Sequence, residues 1–244
     1  MYLIRHSERL DKVDINKWIN SDRHKINSLD IPISENGLKI ANDKIKNILL
    51  NVLKDDLGFI YSSPFTRCIQ TSLEFQRFIL NKYKVLIPIK IEYGLTFEYS
   101  YDMDLYVDPP KFIIKKNKVK YINKNIKIID NYLKNKNIFK RFGDKLFDIK
   151  YKSIISIDEI NNPTSLINTM NNRFSAILNI SKQINFNKIN IICTHGDNMT
   201  FIKSFVEETW NQKKNFLLFK DVYCCYMKIN KKNNKLFVEE INNK

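Results

Sequence analysis

Residues 188–196 read KINIICTHG: an unbroken apolar run that stops abruptly at Thr194, His195 and Gly196. A strand with one wet face alternates apolar and polar residues. A continuous run of this length is buried on both faces, as in a parallel sheet covered by helices. Two other stretches have the same form. Residues 1–6, MYLIRH, end in Arg5 and His6, and residues 57–63, LGFIYSS, end in Ser62 and Ser63 shortly before Arg67.

The segments between these strands carry helical periodicity. After Ser34, a capping residue, Leu38, Ala41, Ile45, Ile48, Leu49 and Val52 fall on one helical face. SPFTRCIQTSLEFQRFIL reads as a second helix, with Ser63 as its N-cap and Pro64 at its first position. Residues 86–92 form a third strand, whose Pro88 predicts an edge position or a bulge. Beyond Pro163, Leu166, Ile167, Met170, Phe174 and Ile177 recur at helical spacing, and NMTFIKSFVEETW continues as a helix after KINIICTHG. The C-terminal run is two strands around an Asn/Lys turn. The expected fold is α/β: a three-layer α/β/α sandwich around a mostly parallel sheet. The whole chain, 1–244, reads as a single domain. The stretch at about 97–162, rich in Lys and Asn with some helical periodicity near residues 126–133, is an insertion covering the carboxyl ends of the strands.

At 244 residues with 43% hydrophobic and 12% aromatic residues, the chain can bury a sizeable core. No apolar stretch is long enough to cross a bilayer, and charge follows MYLI at once, so the expected address is cytoplasmic, without a membrane partner. The net charge of +15 favours acidic partners. Most of it is Lys interspersed with Asn and Ile, the residues of A/T-rich codons, and no nucleic-acid-binding motif accompanies it; nucleic acid is therefore not the expected partner. The four cysteines, Cys68, Cys193, Cys224 and Cys225, lack metal-ligand spacing and read as reduced, mostly buried thiols, so no metal or cofactor is expected.

In open α/β sheets ligands bind beyond the carboxyl ends of the strands. Arg5, His6, Arg9, Arg67 and His195 would then converge on one crevice. Arg67 falls in the first turn of its helix, where the macrodipole disfavours a cation unless an anion binds there. Arginine forks and a helix N-terminus both suit phosphate. An imidazole among them, held neutral by the surrounding cations, can attack phosphorus.

Taken in order, RHSER, PISENGLKIA, SSPFTRCIQTS and CTHGDN resemble the motifs of the histidine phosphatase superfamily, also called phosphoglycerate-mutase-like. RHSERLDKV with Trp18, and IEYGLTFEYS, are similar to the branch containing the suppressor-of-T-cell-receptor-signalling and ecdysteroid-phosphate phosphatases. The resemblance covers the first hundred or so residues and returns from about Pro163 to Asn198. It implies phosphoester hydrolysis through a phosphohistidine on His6, with Arg5, Arg9, Arg67 and His195 binding the phosphoryl group. A Glu after the third strand would be the general acid: Glu98 by its place after Gly94–Leu95, with Glu92 and Asp102 as alternatives because this sequence has one extra residue there. Ser7 stands where the family has Gly. The implied partner is a phosphorylated substrate, small molecule or phosphoprotein, and a homodimer is compatible with the family. Two other readings remain: a mutase, which returns the phosphoryl group to a second hydroxyl, and a silent phospho-ligand binder.

Overall fold

The computed structural model describes residues 1–26, 28–96, 112–115, 118–121, 143–156, 166–207, 219 and 222–242. A six-stranded sheet forms its centre, ordered β3-β2-β6-β1-β7-β8. Strands β1 (Tyr2–Arg5), β2 (Leu57–Ser62), β3 (Ile89–Ile91) and β6 (Ile189–Thr194) run parallel; β7 (Tyr226–Lys232) and β8 (Lys235–Asn242) add an antiparallel hairpin beside β1. A small separate hairpin pairs β4 (Phe112–Lys115) with β5 (Lys118–Tyr121).

Alternation along the central strands sends neighbouring residues to opposite faces. Ile4, Ile60 and Ile191 join one core with Ala41, Ile45 and Leu49 of helix α4 (Glu35–Leu49) and Ile69, Phe75 and Ile79 of helix α5 (Thr66–Tyr83). Leu3, Tyr61 and Ile192 join the opposite core with Ile177, Ile180 and Ile184 from α6 (Leu166–Gln183) and its C-terminal extension, and Met199 and Ile202 of α7 (Gly196–Val206). The sheet is thus sandwiched between two helical layers, as the apolar runs predict. Each Leu or Ile so buried contributes roughly 1.5–3 kcal/mol.

Several local expectations are met. Ser34 caps α4, its hydroxyl accepting a bond from the Gly37 N–H at 2.8 Å. β3 takes the edge position expected from Pro88, although it is only three residues long. Asn233 and Asn234 turn the β7–β8 hairpin with φ of 49° and 61°, a left-handed conformation that Asn tolerates. All four cysteines are free and buried.

Two readings need correction. Helix α5 starts at Thr66 with Phe65 as its N-cap, so Ser63 is not the cap and Pro64 is not its first residue. Phe65 stays extended, with φ of −65° and ψ of 138°, and the bond to the helix start comes from a distant loop: Asp30 Oδ1 accepts from the Thr66 N–H at 2.8 Å. His24 is partly covered and packs edge-on against buried Trp18 at 5.4 Å. Three short helices, α1 (Leu10–Val13), α2 (Ile15–Ile19) and α3 (Asp22–Ile26), fill the β1–α4 connection, and no sequence period announced them. The helical pattern near residues 126–133 lies outside the described residues, as does most of the insertion.

Candidate active site

Sheet register decides which side chains meet. Arg5 pairs with Thr194, and Ser62 with Cys193, so the next residues along β1, β6 and β2 are His6, His195 and Ser63. Three further ladder-like bonds fix them: the His6 N–H donates to Thr194 O (3.0 Å), Ser63 N–H to Cys193 O (3.0 Å) and Glu92 N–H to Ser62 O (2.9 Å). The carboxyl edge of the parallel strands is therefore the candidate site, where ligands bind in open α/β sheets.

His6 and His195 are 3% and 2% exposed, with ring centroids 5.4 Å apart. Their proton positions follow from their partners. His6 Nδ1 lies 2.8 Å from the Ser7 carbonyl, which can only accept, so Nδ1 carries the hydrogen and Nε2 the lone pair. His195 is arranged the other way. Its Nδ1 lies 3.2 Å from Arg67 Nη2, which can only donate, so Nδ1 accepts and Nε2–H donates to Ser63 Oγ at 3.0 Å. Burial, aided by Arg67 and Arg5, holds His6 well below the usual imidazole range. Burial, then Arg67, His6, Arg173 and Arg5, does the same to His195.

Arg67 is 2% exposed; its Nη1 donates to Leu29 O at 2.9 Å and its guanidinium stacks on Phe65, 4.6 Å from the ring centroid. Arg5 donates from Nη1 to Val222 O at 3.1 Å. Arg9 is the exception. Its Nε and Nη2 form a fork with the Asp11 carboxylate at 2.9 and 2.6 Å, and its charge is a minor influence on His6. Arg5, Arg67, His6 and His195 are thus brought together, while Arg9 stands beside them engaged with its own acid. Ser7 is not among the residues with positive φ, so replacing Gly there strains nothing; its hydroxyl donates to Gly37 O at 2.6 Å.

The alternative acid Glu92 is wholly buried, and five donors saturate it: Gly94 N–H, Tyr151 Oη, Ser153 Oγ, Ile154 N–H and Ile155 N–H, at 2.7–3.2 Å. These bonds occupy both carboxylate oxygens and tie residues 151–155 to the end of β3, a structural role. That candidate is withdrawn. Glu98 and Asp102 lie outside the described residues, but the chain leading to them is pinned. Asn198 Nδ2 donates to Leu95 O (3.0 Å) and Thr96 O (2.8 Å), and Thr194 Oγ1 donates to Leu95 O (3.1 Å).

Sequence reasoning missed several contributors. Asp30 joins buried Arg23 at 2.8 Å and caps α5 beside Arg67; its carboxylate answers part of the dipole penalty that had implied a bound anion. Arg173, 3% exposed on α6, adds its charge at His195. Tyr223 lies with its ring 6.3 Å from that of His6. None carries a local signal, since each reaches the site from a distant part of the chain. Gly196 is required sterically: a Cβ there would come within 2.6 Å of Phe219 O and 3.3 Å of Arg5 Nε.

No protein-family model matches the chain. A curated relative, an uncharacterized phosphoglycerate mutase family protein of Acanthamoeba polyphaga mimivirus, is 30% identical over 106 residues, 43% of this chain; the match spans about half (49%) of the relative's own length. Among solved structures, the ecdysone phosphate phosphatase of Bombix mori in complex with tungstate aligns with a TM-score of 0.59 and 16% identity, over 98% of this chain and 91% of that one. The chain has that phosphatase's fold. A phosphoserine phosphatase variant of Entamoeba histolytica with phosphoserine gives 0.52 and 16%, over 99% and 95%. The mycobacterial glucosyl-3-phosphoglycerate phosphatase with VO3 gives 0.52 and 10%, over 100% and 98%. These neighbours belong to the superfamily that the four motifs resemble, so the expected fold and the observed one agree. Identities this low carry the fold and not the chemistry, which has to be argued from the site.

Proposed function

We propose that the protein is a metal-independent phosphomonoesterase that works through a phosphohistidine on His6. The observation that carries this reading is the Nδ1–Ser7 carbonyl bond. It directs the Nε2 lone pair away from the backbone, on a ring kept neutral by burial and by Arg67 and Arg5. Nε2 attacks phosphorus, the phosphorus–oxygen bond to the leaving group breaks, and the leaving oxygen takes a proton from the general acid. Water then attacks the phosphohistidine, giving its proton to the same carboxylate; the nitrogen–phosphorus bond breaks and orthophosphate leaves. Arg5 and Arg67 supply positive charge where the equatorial oxygens gain negative charge.

Glu98 is the proposed acid. It lies two residues, at most about 7 Å of extended chain, beyond Thr96, which is itself tied to Asn198 near His195. His195 can donate to the phosphoryl group only after its Nδ1 gains a proton and Arg67 turns from it to the phosphate oxygens. Anion binding favours both changes, because it offsets the cationic repulsion that adds to burial in keeping the ring neutral.

The substrate class is a phosphomonoester, small molecule or phosphoprotein. No described helix is long and apolar enough to cross a membrane, and no described group of His, Cys, Asp and Glu could hold a metal ion. The test is hydrolysis of 4-nitrophenyl phosphate in excess EDTA, with His6→Ala alongside. Turnover that survives chelation and disappears in the variant is expected. Activity retained by His6→Ala would refute the nucleophile. A wild type that forms phosphohistidine yet hydrolyses it slowly, passing the group to a second hydroxyl, would favour the mutase reading.

A further inference from the structure

The Arg5 guanidinium is held by a stretch of chain more than two hundred residues away. Val222 O accepts from Arg5 Nη1 at 3.1 Å, and the Tyr223 ring faces the guanidinium 4.8 Å from its centroid. Cys225 O accepts from the Arg5 N–H at 3.0 Å, and the Cys224 N–H donates to His6 O at 3.5 Å. Four successive residues therefore grip Arg5 and His6 together.

This grip requires an unusual backbone. Cys224 has φ of 52°, a left-handed conformation that strains an L residue. Its side chain is fully buried. The sharp reversal there lets the carbonyl of 222, the ring of 223 and the carbonyl of 225 all face Arg5. Strain of this kind persists where the surrounding structure over-determines it, commonly beside a functional site. The Tyr223 ring, partly exposed, also lies 6.3 Å from the His6 ring, and Arg5, Arg9, Asp11 and Glu8 are the charged groups that influence it.

We propose that Tyr223 is a positioning residue of the phosphoryl pocket: its ring face and the Val222 carbonyl set the Arg5 guanidinium so that its other N–H groups point at the bound phosphoryl oxygens. The proposal rests on the phosphoryl-pocket reading and adds to it a role for the turn at 222–225. A guanidinium over an aromatic face is held by the negative charge of the ring's π cloud, more strongly the drier the contact. What acts is the π face, not the hydroxyl. Phe should replace Tyr, and an aliphatic side chain of similar bulk should not.

The test compares Tyr223→Phe with Tyr223→Leu, after melting curves establish that each is folded; Tyr223→Met replaces Leu if the latter does not fold. Tungstate affinity is measured by calorimetry, and the pH dependence of kcat/KM on 4-nitrophenyl phosphate by initial rates. Phe should stay within about 2-fold of wild type, and Leu should weaken tungstate binding about 5- to 10-fold. In the Leu variant the acid limb should also move to higher pH, because a displaced Arg5 no longer opposes protonation of His6. A Leu variant with wild-type affinity and pH profile overturns the proposal, as does a Phe variant as damaged as Leu. Tungstate binding needs no turnover, so a wild type that binds tungstate without hydrolysing the ester refutes the phosphatase reading and still tests Tyr223. A wild type that binds no tungstate overturns both.

Discussion

The ends of β1 and β6 lie side by side in register and each delivers a buried histidine to the same crevice, yet the two rings are set in opposite senses. His6 donates from Nδ1 to the carbonyl of the very next residue and keeps Nε2 as a lone pair. His195 donates from Nε2 to a side chain of another strand's loop, Ser63, and keeps Nδ1 as acceptor for Arg67. Residue type, burial and electrostatic surroundings are alike; the partners are not. A backbone carbonyl fixes a tautomer permanently, whereas a side-chain hydroxyl and a guanidinium fix it only while they stay. One ring is built to keep a lone pair, and the other to change its protonation when an anion arrives.

The sharpest way to break that comparison is to remove each ring in turn. His6→Ala should lower kcat/KM on 4-nitrophenyl phosphate by at least about 10³-fold and abolish labelling of the enzyme by radioactive substrate, since no other described group can take its place. His195→Ala removes a charge-stabilising donor and should cost about 10²-fold while phosphoenzyme still forms. Equal losses, or labelling that survives without His6, would mean that the roles are shared or reversed.

A second test uses what the rings have in common. Both are held neutral when folded, with pKa values pushed well below the ordinary value of about 6.5. The unfolded chain therefore binds protons that the folded chain refuses once pH falls below about 6.5. Stability is intact above that pH and is lost as acid is added, by roughly 1.4 kcal/mol per pH unit for each histidine until its folded pKa is reached. Melting temperature followed downward from about pH 7.5 should fall from the mid-sixes on, and tungstate or orthophosphate should reduce the fall by favouring the protonated His195. A flat profile would mean that neither ring is held neutral by the fold.

How much of this was legible from sequence differs between the sheet and the site. Strands β1, β2 and β6 announce themselves because continuous apolar runs have one physical use, and α4, α5 and α6 because their periods persist for four or more turns. Helices α1–α3, of four or five residues each, have no room for a period. Arg5, His6 and His195, at strand ends, and Arg67, in the first turn of the helix after β2, were legible because strand direction carries all four to one edge. Ser63 was read as a cap because Ser before Pro usually is one. Asp30, which performs that task, is set by a loop path that no local pattern encodes. For Arg9 the spacing fits the motif, and it could not reveal that Asp11, two residues on, binds the same guanidinium.

Ser63 offers the smallest expected effect and the finest test of the comparison. Its hydroxyl receives the His195 Nε2–H at 3.0 Å and the Phe65 N–H at a longer 3.4 Å, and Ser63 is not the N-cap of α5. In Ser63→Ala a neighbour that remains at Nε2 is the weak acceptor Cys68 Sγ, at 3.5 Å. His195 then loses its reason to keep the proton on Nε2 and can move it to Nδ1, where it would face Arg67 instead of accepting from it. Losing one hydrogen bond to a group that becomes charged costs about 1.5 kcal/mol, or roughly 10-fold in rate. That loss should fall on kcat, because the imidazolium form is needed as charge develops, and should leave phosphoenzyme formation through His6 detectable. Nitrogen chemical shifts of the His195 ring should report the changed tautomer directly, while those of His6, anchored to its own backbone, stay where they are. A shift of both rings together would show that the two histidines form one coupled unit and are not two separately set devices.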